Sequence, residues 1–569
     1  MKLVFILLMG VLCLSACQQK PLESTTQTPT STYCASKTTD IAWYTSGQKA
    51  PLLPGLEGLN FTVTTNQEEA QRYFNQGLVL AFGFNHAEAA RSFFEATRID
   101  PECAMCHWGF AYVLGPNYNA GMEPDNYARA YTAIQKALVF SSKVTPKERD
   151  LIEAMSKRYP PEAVEDRSAY DEAYSAAMKA LHQKYPNDVH IMAMYAESIM
   201  DLHPWDLWEK TGEAKPWTPE ILQLLEQAIA LDANHPGALH FHIHATEASQ
   251  NPERGLPSAD RLRDLVPGAG HLVHMPSHTY IRTGDYHKGT LANLKAVAID
   301  SAYLSACYAQ GSYPLALYPH NWHFLSATAT FEGNSKLAMQ AAKKVSDNAD
   351  REVMQEPGWG TLQHFYTIPY YVAIKFGKWD EILAMRNFDP AMKYPDAVRR
   401  YARGMAYLGK NDLQQAKVEL AALNVHANDE SLKEVTIWDI NDTYTLLQIA
   451  RRVLEGEILA KEGRYEASIR LLQSAVEIED QLGYEEPPDW FFSVRHHLGA
   501  VLLEAGRFAE AEKAYREDLQ VFKKNGWALH GLAKALEGQG KRAAAADVWS
   551  QFENAWQYAD ITLTNSRIL

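Results

Sequence analysis

The stretch Gly506-Arg507-Phe508-Ala509-Glu510-Ala511-Glu512-Lys513-Ala514-Tyr515 is answered by Gly540-Lys541-Arg542-Ala543-Ala544-Ala545-Ala546-Asp547-Val548-Trp549, 34 residues further on. Glycine closes a helix because it takes up the left-handed turn without strain, and the small residue five positions later lets the next helix pack closely against the first. One such helix pair cannot bury its own apolar face, so several must stack. Related turns stand at Phe84 to Pro101, with Ala89, Phe93 and Ala96, and at Gly284-Asp285-Tyr286, Gly333, Gly377-Lys378-Trp379 and Gly463-Arg464-Tyr465. The pattern covers most of residues 65–555. It loosens between about 140 and 235, where Pro160-Pro161 and the run from Trp205 to Pro219 point to inserted elements. Strand-like alternation of useful length is absent. A chain of 569 residues is too long for one compact core, and a stacked repeat resolves that difficulty.

The 34-residue spacing resembles that of the tetratricopeptide family. That resemblance implies an all-α, right-handed superhelical solenoid of helix pairs, with the first helix of each pair lining a concave groove that takes peptides and the ends of partner proteins. Asn85-His86-Ala87-Glu88-Ala89-Ala90 and His274-Met275-Pro276-Ser277-His278 resemble a His-rich bacterial subgroup of the family. The likeness implies the fold and no activity. The expected organisation is a leader over 1–16, a flexible tether over 17–60, a solenoid with a His-lined groove over 61–400 and further repeats over 401–569.

Histidines crowd the groove positions. His240, His244 and Glu247 fall at i, i+4 and i+7 of one helix face, and His271, His274 and His278 at i, i+3 and i+7 of another, whereas His242 points the other way. His240 to His274 and His244 to His278 are both 34 residues, one repeat. Counted back from the turns at Gln250, Gly284, Gly333 and Gly377, His240, His274 and His323 stand ten before, His271, His320 and His364 thirteen before, and His244 and His278 six before. Eight of these twelve positions are His, against about 0.4 expected from the chain average. Neutral imidazole is a good ligand for zinc, copper and iron, and i,i+4 histidines can share an ion. A set poor in carboxylates and free of thiolates favours zinc or copper over calcium or magnesium, with iron behind. Glu247 could be a ligand, an orienting acceptor or the general base for a metal-bound water. His190, Glu197, Asp201 and His496 are further candidates for the groove, and Trp322 and Tyr371 for an aromatic wall.

The N-terminus reads as an export signal. Lys2 precedes an apolar run from Leu3 to Leu14, too short to span a bilayer as a mature helix. Leu14-Ser15-Ala16-Cys17 resembles the lipobox of bacterial lipoproteins, which implies lipid on Cys17, a membrane attachment through it and, with Gln18 next, an outer-membrane location facing the periplasm. A net charge of −15 without a dense basic block argues against nucleic acid as a partner. Cys103, Cys106 and His107 match the C-x-x-C-H pattern of covalent haem, but a single motif just after Asp100-Pro101 favours a structural or disulfide role, although an i,i+3 pair is poor disulfide geometry inside a regular helix. No H-E-x-x-H, G-x-S-x-G, Walker or dinucleotide motif occurs. The expected function is a transition-metal protein, catalytic or not, acting on a peptide, a protein terminus or a small molecule in the groove. The alternatives are a non-catalytic peptide-binding scaffold and a metal store or carrier.

Overall fold

The computed structural model describes residues 41–307, 313–385 and 392–569. It is an all-α solenoid of tetratricopeptide-like helix pairs, among them Pro236–Glu247 with Leu256–Leu262, Tyr318–Phe331 with Ser335–Asn348, Gly360–Lys375 with Trp379–Ala384, and Gly526–Gly538 with Arg542–Ala555. The expected turns are where the spacing puts them, with φ of 76° at Gly284, 79° at Gly333, 63° at Gly377, 75° at Gly463, 73° at Gly506 and 75° at Gly540. Ala89, Ala96, Ala511 and Ala545, the small residues of the second helices, are buried. Side-chain caps start several helices, as where Asn334 accepts from the Leu337 N–H and Asp412 from the Gln415 N–H.

Several features depart from the repeat. One first helix is split into Gly270–His274 and Pro276–Thr283, because Pro276 has no N–H to continue the ladder. A short antiparallel pair, Thr436–Ile437 with Asn441–Asp442, interrupts the helices and carries Trp438 at φ 51°. Residues 203–217 form the inserted loop that the sequence suggests.

Of the residues expected to form the tether, 41–60 are described. From Ile41 on the chain packs onto the first repeats: Trp43, Ala50, Leu56 and Leu59 are buried and the Tyr73 hydroxyl donates to the Ala50 carbonyl at 2.7 Å. These apolar anchors outweigh the polar composition around them. The leader, Cys17 and Cys34 lie outside the described residues.

The solenoid curls until its last repeats meet its middle ones. Trp527 Nε1 donates to the Thr330 carbonyl at 3.0 Å, the Tyr286 hydroxyl to the Lys523 carbonyl at 2.9 Å, and the Asp560 N–H to the Gly333 carbonyl at 3.1 Å. Buried apolar residues form two large clusters, one running from Trp43 to Leu317 and the other from Ile281 to Leu563. The histidine-bearing helices lie where the two meet, covered by the loops around Trp205 and Glu485.

Candidate metal centre

All eight groove histidines and Glu247 are buried, none more than 7 % exposed. They do not form one cluster. The ligand nitrogens of His240, His244 and His271 lie within 4.8 Å of one another, and so do those of His274, His278 and His320. His323 and His364 make a separate pair with ring centroids 5.8 Å apart.

Each group sits at a junction between neighbouring repeats. The histidines ten and six before one turn meet the histidine thirteen before the next: His240 and His244 with His271, then His274 and His278 with His320. At the third junction His323 and His364 hold the corresponding places, and the position six before the turn is Ala327.

Hydrogen bonds select the tautomer that aims a lone pair inward. His240 Nδ1–H donates to the Phe82 carbonyl at 2.6 Å, and His244 Nδ1–H to Glu247 Oε1 at 3.0 Å. His274 Nδ1–H donates to Asn293 Oδ1 at 2.6 Å, and that amide is fixed in turn because its Nδ2 donates to the Gly289 carbonyl at 2.8 Å. Each of these three rings therefore presents an unprotonated Nε2 to the junction. Around His278 Nε2, His274 Nε2 stands at 3.1 Å and His320 Nε2 at 3.5 Å. Tetrahedral zinc with bonds of about 2.05 Å separates its nitrogens by about 3.3 Å, close to the two separations at His278 Nε2. In the first triad His240 Nε2, His244 Nε2 and both nitrogens of His271 have no hydrogen-bond partner. Buried polar atoms without partners are costly, and a shared ion is what would satisfy them.

Glu247 stands between the triads, with Oε2 at 3.0 Å from His278 Nδ1, and Glu486 Oε2 contacts the same nitrogen at 3.0 Å. Burial pushes His240, His271, His274 and His320 well below the ordinary imidazole value, so they are neutral at pH 7. His278 is the exception: burial works to lower it, but the carboxylates of Glu247 and Glu486 prevail and raise it to about 9. Burial likewise opposes ionisation of Glu247, and His278 and His244 overcome it and hold the carboxyl at about 2.

A second layer holds the backbone. Buried Asp300 accepts from the Tyr313 hydroxyl at 2.7 Å and from Asn321 Nδ2 at 2.7 Å, and the Tyr313 oxygen accepts the His271 N–H at 3.1 Å. Asp300 thus ties His271 to the helix of His320. At Gly270 a Cβ would lie 1.8 Å from Asp300 Oδ1, so no side chain fits there.

Above the triads lies a cavity of about 150 Å³, lined among others by His244, His271, His278, His320, Trp205 and Glu485. The inserted loop at Trp205 and the loop at Glu485 thus wall the site. Trp438 also faces it, its ring edge-on to His320 at 5.9 Å. His86 lines the same cavity. Glu486 and Trp438 sit outside the repeat, so the helical spacing does not single them out; the acids before Pro487-Pro488 mark the loop of the former.

Other expected residues lie elsewhere. His190 pairs with His235 Nε2 at 2.9 Å, Glu197 takes the Tyr112 hydroxyl, Asp201 pairs with Arg158 at 2.8 Å, and His496 meets Lys375 Nζ at 2.8 Å. His242 turns away to Ser258, 2.9 Å. Cys103 and Cys106 are joined as a disulfide. The pair is possible because Cys103 is the N-cap residue, with extended backbone at φ −67° and ψ 97°, and not part of the helix. Both sulfurs are used in this disulfide, and His107 Nε2 lies 3.0 Å from the Pro101 carbonyl.

No protein-family model and no curated protein matches the chain. Solved structures similar to it include the human IFIT1 dimer with m7Gppp-AAAA, 14% identical, over 88% of this chain and 92% of that one, with a TM-score of 0.30. The Cut9-Hcn1 hetero-tetramer of the APC/C is 12% identical over 88% and 79% of the chains, TM-score 0.30, and yeast Tom70 is 12% identical over 87% and 93%, TM-score 0.26. At these scores the likeness carries nothing about ligands.

Proposed function

We propose that the chain binds a pair of transition-metal ions, zinc or copper before iron, at its two histidine triads and presents them to a small molecule or to the end of a peptide or protein in the adjoining cavity. The observation that carries this reading is the inward tautomer of His240, His244 and His274, each enforced by an acceptor on Nδ1. Orienting acceptors of this kind behind histidine ligands are a regular feature of metal sites.

Two triads leave a further coordination position on each ion. His244 and His271 of the first triad and His278 and His320 of the second line the cavity, so ions held by the triads would lie beside it. Storage has no need of an open position, and catalysis does. Bound ions would supply Lewis-acid polarisation and an acidified water, or redox chemistry if they are copper or iron. Glu247 acts in this reading as an orienting carboxylate between the triads and not as a general base. Glu485 lines the cavity with its carboxyl raised well above the usual range by burial and by Asp489. The cavity volume suits one ring-sized group or side chain, not several residues of extended peptide.

The chain is proposed to work outside the cytoplasm, tethered through lipid on Cys17 to the outer membrane and facing the periplasm. The Cys103–Cys106 disulfide supports an oxidising compartment. The metal reading is tested by elemental analysis of the purified protein after reconstitution with zinc or copper. At least two equivalents are expected in the parent, with one lost in His240→Ala and one in His320→Ala at unchanged helicity. A parent that takes up no metal ends the reading.

A further inference from the structure

Three buried polar atoms converge beside the second triad in close ionic contact but without aligned hydrogen bonds. Glu247 Oε2, Glu486 Oε2 and His278 Nδ1 belong to residues 1 %, 4 % and 2 % exposed. Each carboxylate oxygen lies 3.0 Å from the imidazole nitrogen, and the three atoms are all within 4.8 Å of one another. Yet none of the three has a hydrogen-bond partner of acceptable alignment. A nitrogen carrying one proton can point it at one oxygen, and here two oxygens stand at equal distance. Atoms that approach closely without pointing at each other are arranged as ligands are, around a common point.

We infer that Glu247, His278 and Glu486 form a third divalent-cation site, of two carboxylate oxygens and one imidazole nitrogen, in which His278 bridges to the second triad through its other nitrogen. Two hard oxygens and a borderline nitrogen suit zinc better than the all-imidazole triads suit any hard cation. His278 Nε2 faces His274 and His320, so the same ring presents one nitrogen to each site. Bridging requires both ring nitrogens unprotonated, and the displaced protons leave to solvent as the cations bind.

The surroundings support a cation there. A neighbouring cavity of about 330 Å³ is lined by Glu479, Asp480, Glu485, Glu486, Asp489 and Asp518, against Arg282 and Arg495. Glu485 lines both this cavity and the one above the triads, so the two adjoin at that residue. The Tyr484 hydroxyl donates to Glu486 Oε1, which leaves Oε2 as the oxygen turned to His278.

The inference rests on the proposed function only for the role of His278 Nε2, and its test separates the two. Full-length protein is stripped, loaded with zinc alone to saturation, freed of excess ion and analysed for zinc per chain. Glu486→Gln, which keeps size and removes charge, is expected to hold one equivalent fewer than the parent, whereas His240→Ala loses the equivalent of the first triad. Glu485→Gln, one residue away in the same loop and outside the proposed ligand set, is expected to keep the full complement. A parent-like zinc content in Glu486→Gln overturns the third site while leaving the triads intact, and an equal loss in Glu485→Gln overturns it too, because the loop and not the carboxylate would then matter. Zinc absent from the parent ends both readings.

Discussion

The buried imidazoles set how stability depends on pH when the protein is free of metal. Burial holds His240, His271, His274, His320 and His323 well below 6.5, and His364 at about 3. The unfolded chain takes up their protons first, so stability falls as pH drops below 6.5, by up to about 1.4 kcal/mol per pH unit for each ring. Glu247, held at about 2, adds stability that is present above its ordinary 4.5 and lost as pH falls toward 2. His278, raised to about 9, works in the other sense: its contribution is complete below 6.5 and is lost as pH rises through 9. Denaturant unfolding of the stripped protein should therefore show a steep acid limb and a shallow alkaline one about a maximum near neutrality. A flat profile between pH 7 and pH 5 would contradict the burial of these rings as neutral groups. At this scale the spacing in the sequence brings the groove histidines together and is silent about how they divide. Offsets of ten, six and thirteen from the turns picked out all eight histidines. That the last offset serves the preceding repeat's pair depends on how one helix leans on the next, and spacing within a helix does not carry that.

Among the elements, the turn glycines differ in what a side chain would cost. Gly506 has φ 73° and open space around it, so Gly506→Ala meets only the left-handed backbone penalty of about 1 kcal/mol. Gly284 has φ 76°, and a Cβ there would sit 2.2 Å from the Lys523 carbonyl oxygen. Gly284→Ala should cost clearly more, since it also forces apart the middle and last repeats. Chemical denaturation of the two variants side by side measures the difference, and equal losses would mean that the contact at Lys523 is not rigid. The glycine turns were legible because φ above zero leaves so few residue choices. The hairpin at Thr436 to Asp442 was not, because two-residue strands carry no periodicity, and with it went Trp438. The packing of Ile41 to Leu59 was hidden by a polar tract whose few anchors, Trp43 among them, are spaced without a pattern.

For the molecule as a whole, the return of the last repeats onto the middle ones makes a linear stack behave as a closed one. Trp527 is fully buried, donates to the Thr330 carbonyl and has the Lys375 Nζ 4.0 Å above its ring. Trp527→Ala should lower stability by roughly 3 to 5 kcal/mol. It should also split a single thermal transition into two if this contact is what couples the halves, and calorimetry would show a single unchanged transition if it is not. The anchor is tested in cells: Cys17→Ser should abolish incorporation of labelled palmitate and release the protein from the membrane fraction, whereas labelling that persists in the variant would place any lipid elsewhere.

The junction rule gives the solenoid a property that a globular metal protein lacks. In the proposed reading the split helix of Gly270–His274 and Pro276–Thr283 supplies two ligands forward, His274 and His278, and one backward, His271, so copying that helix pair would complete a new triad between the copies. A metal array could grow by duplication of a gene segment, without any ligand being invented. At the third junction His323 and His364 are in register and position 327 is Ala. If the triads bind metal as proposed, Ala327→His should complete a third triad there and raise the metal content by one.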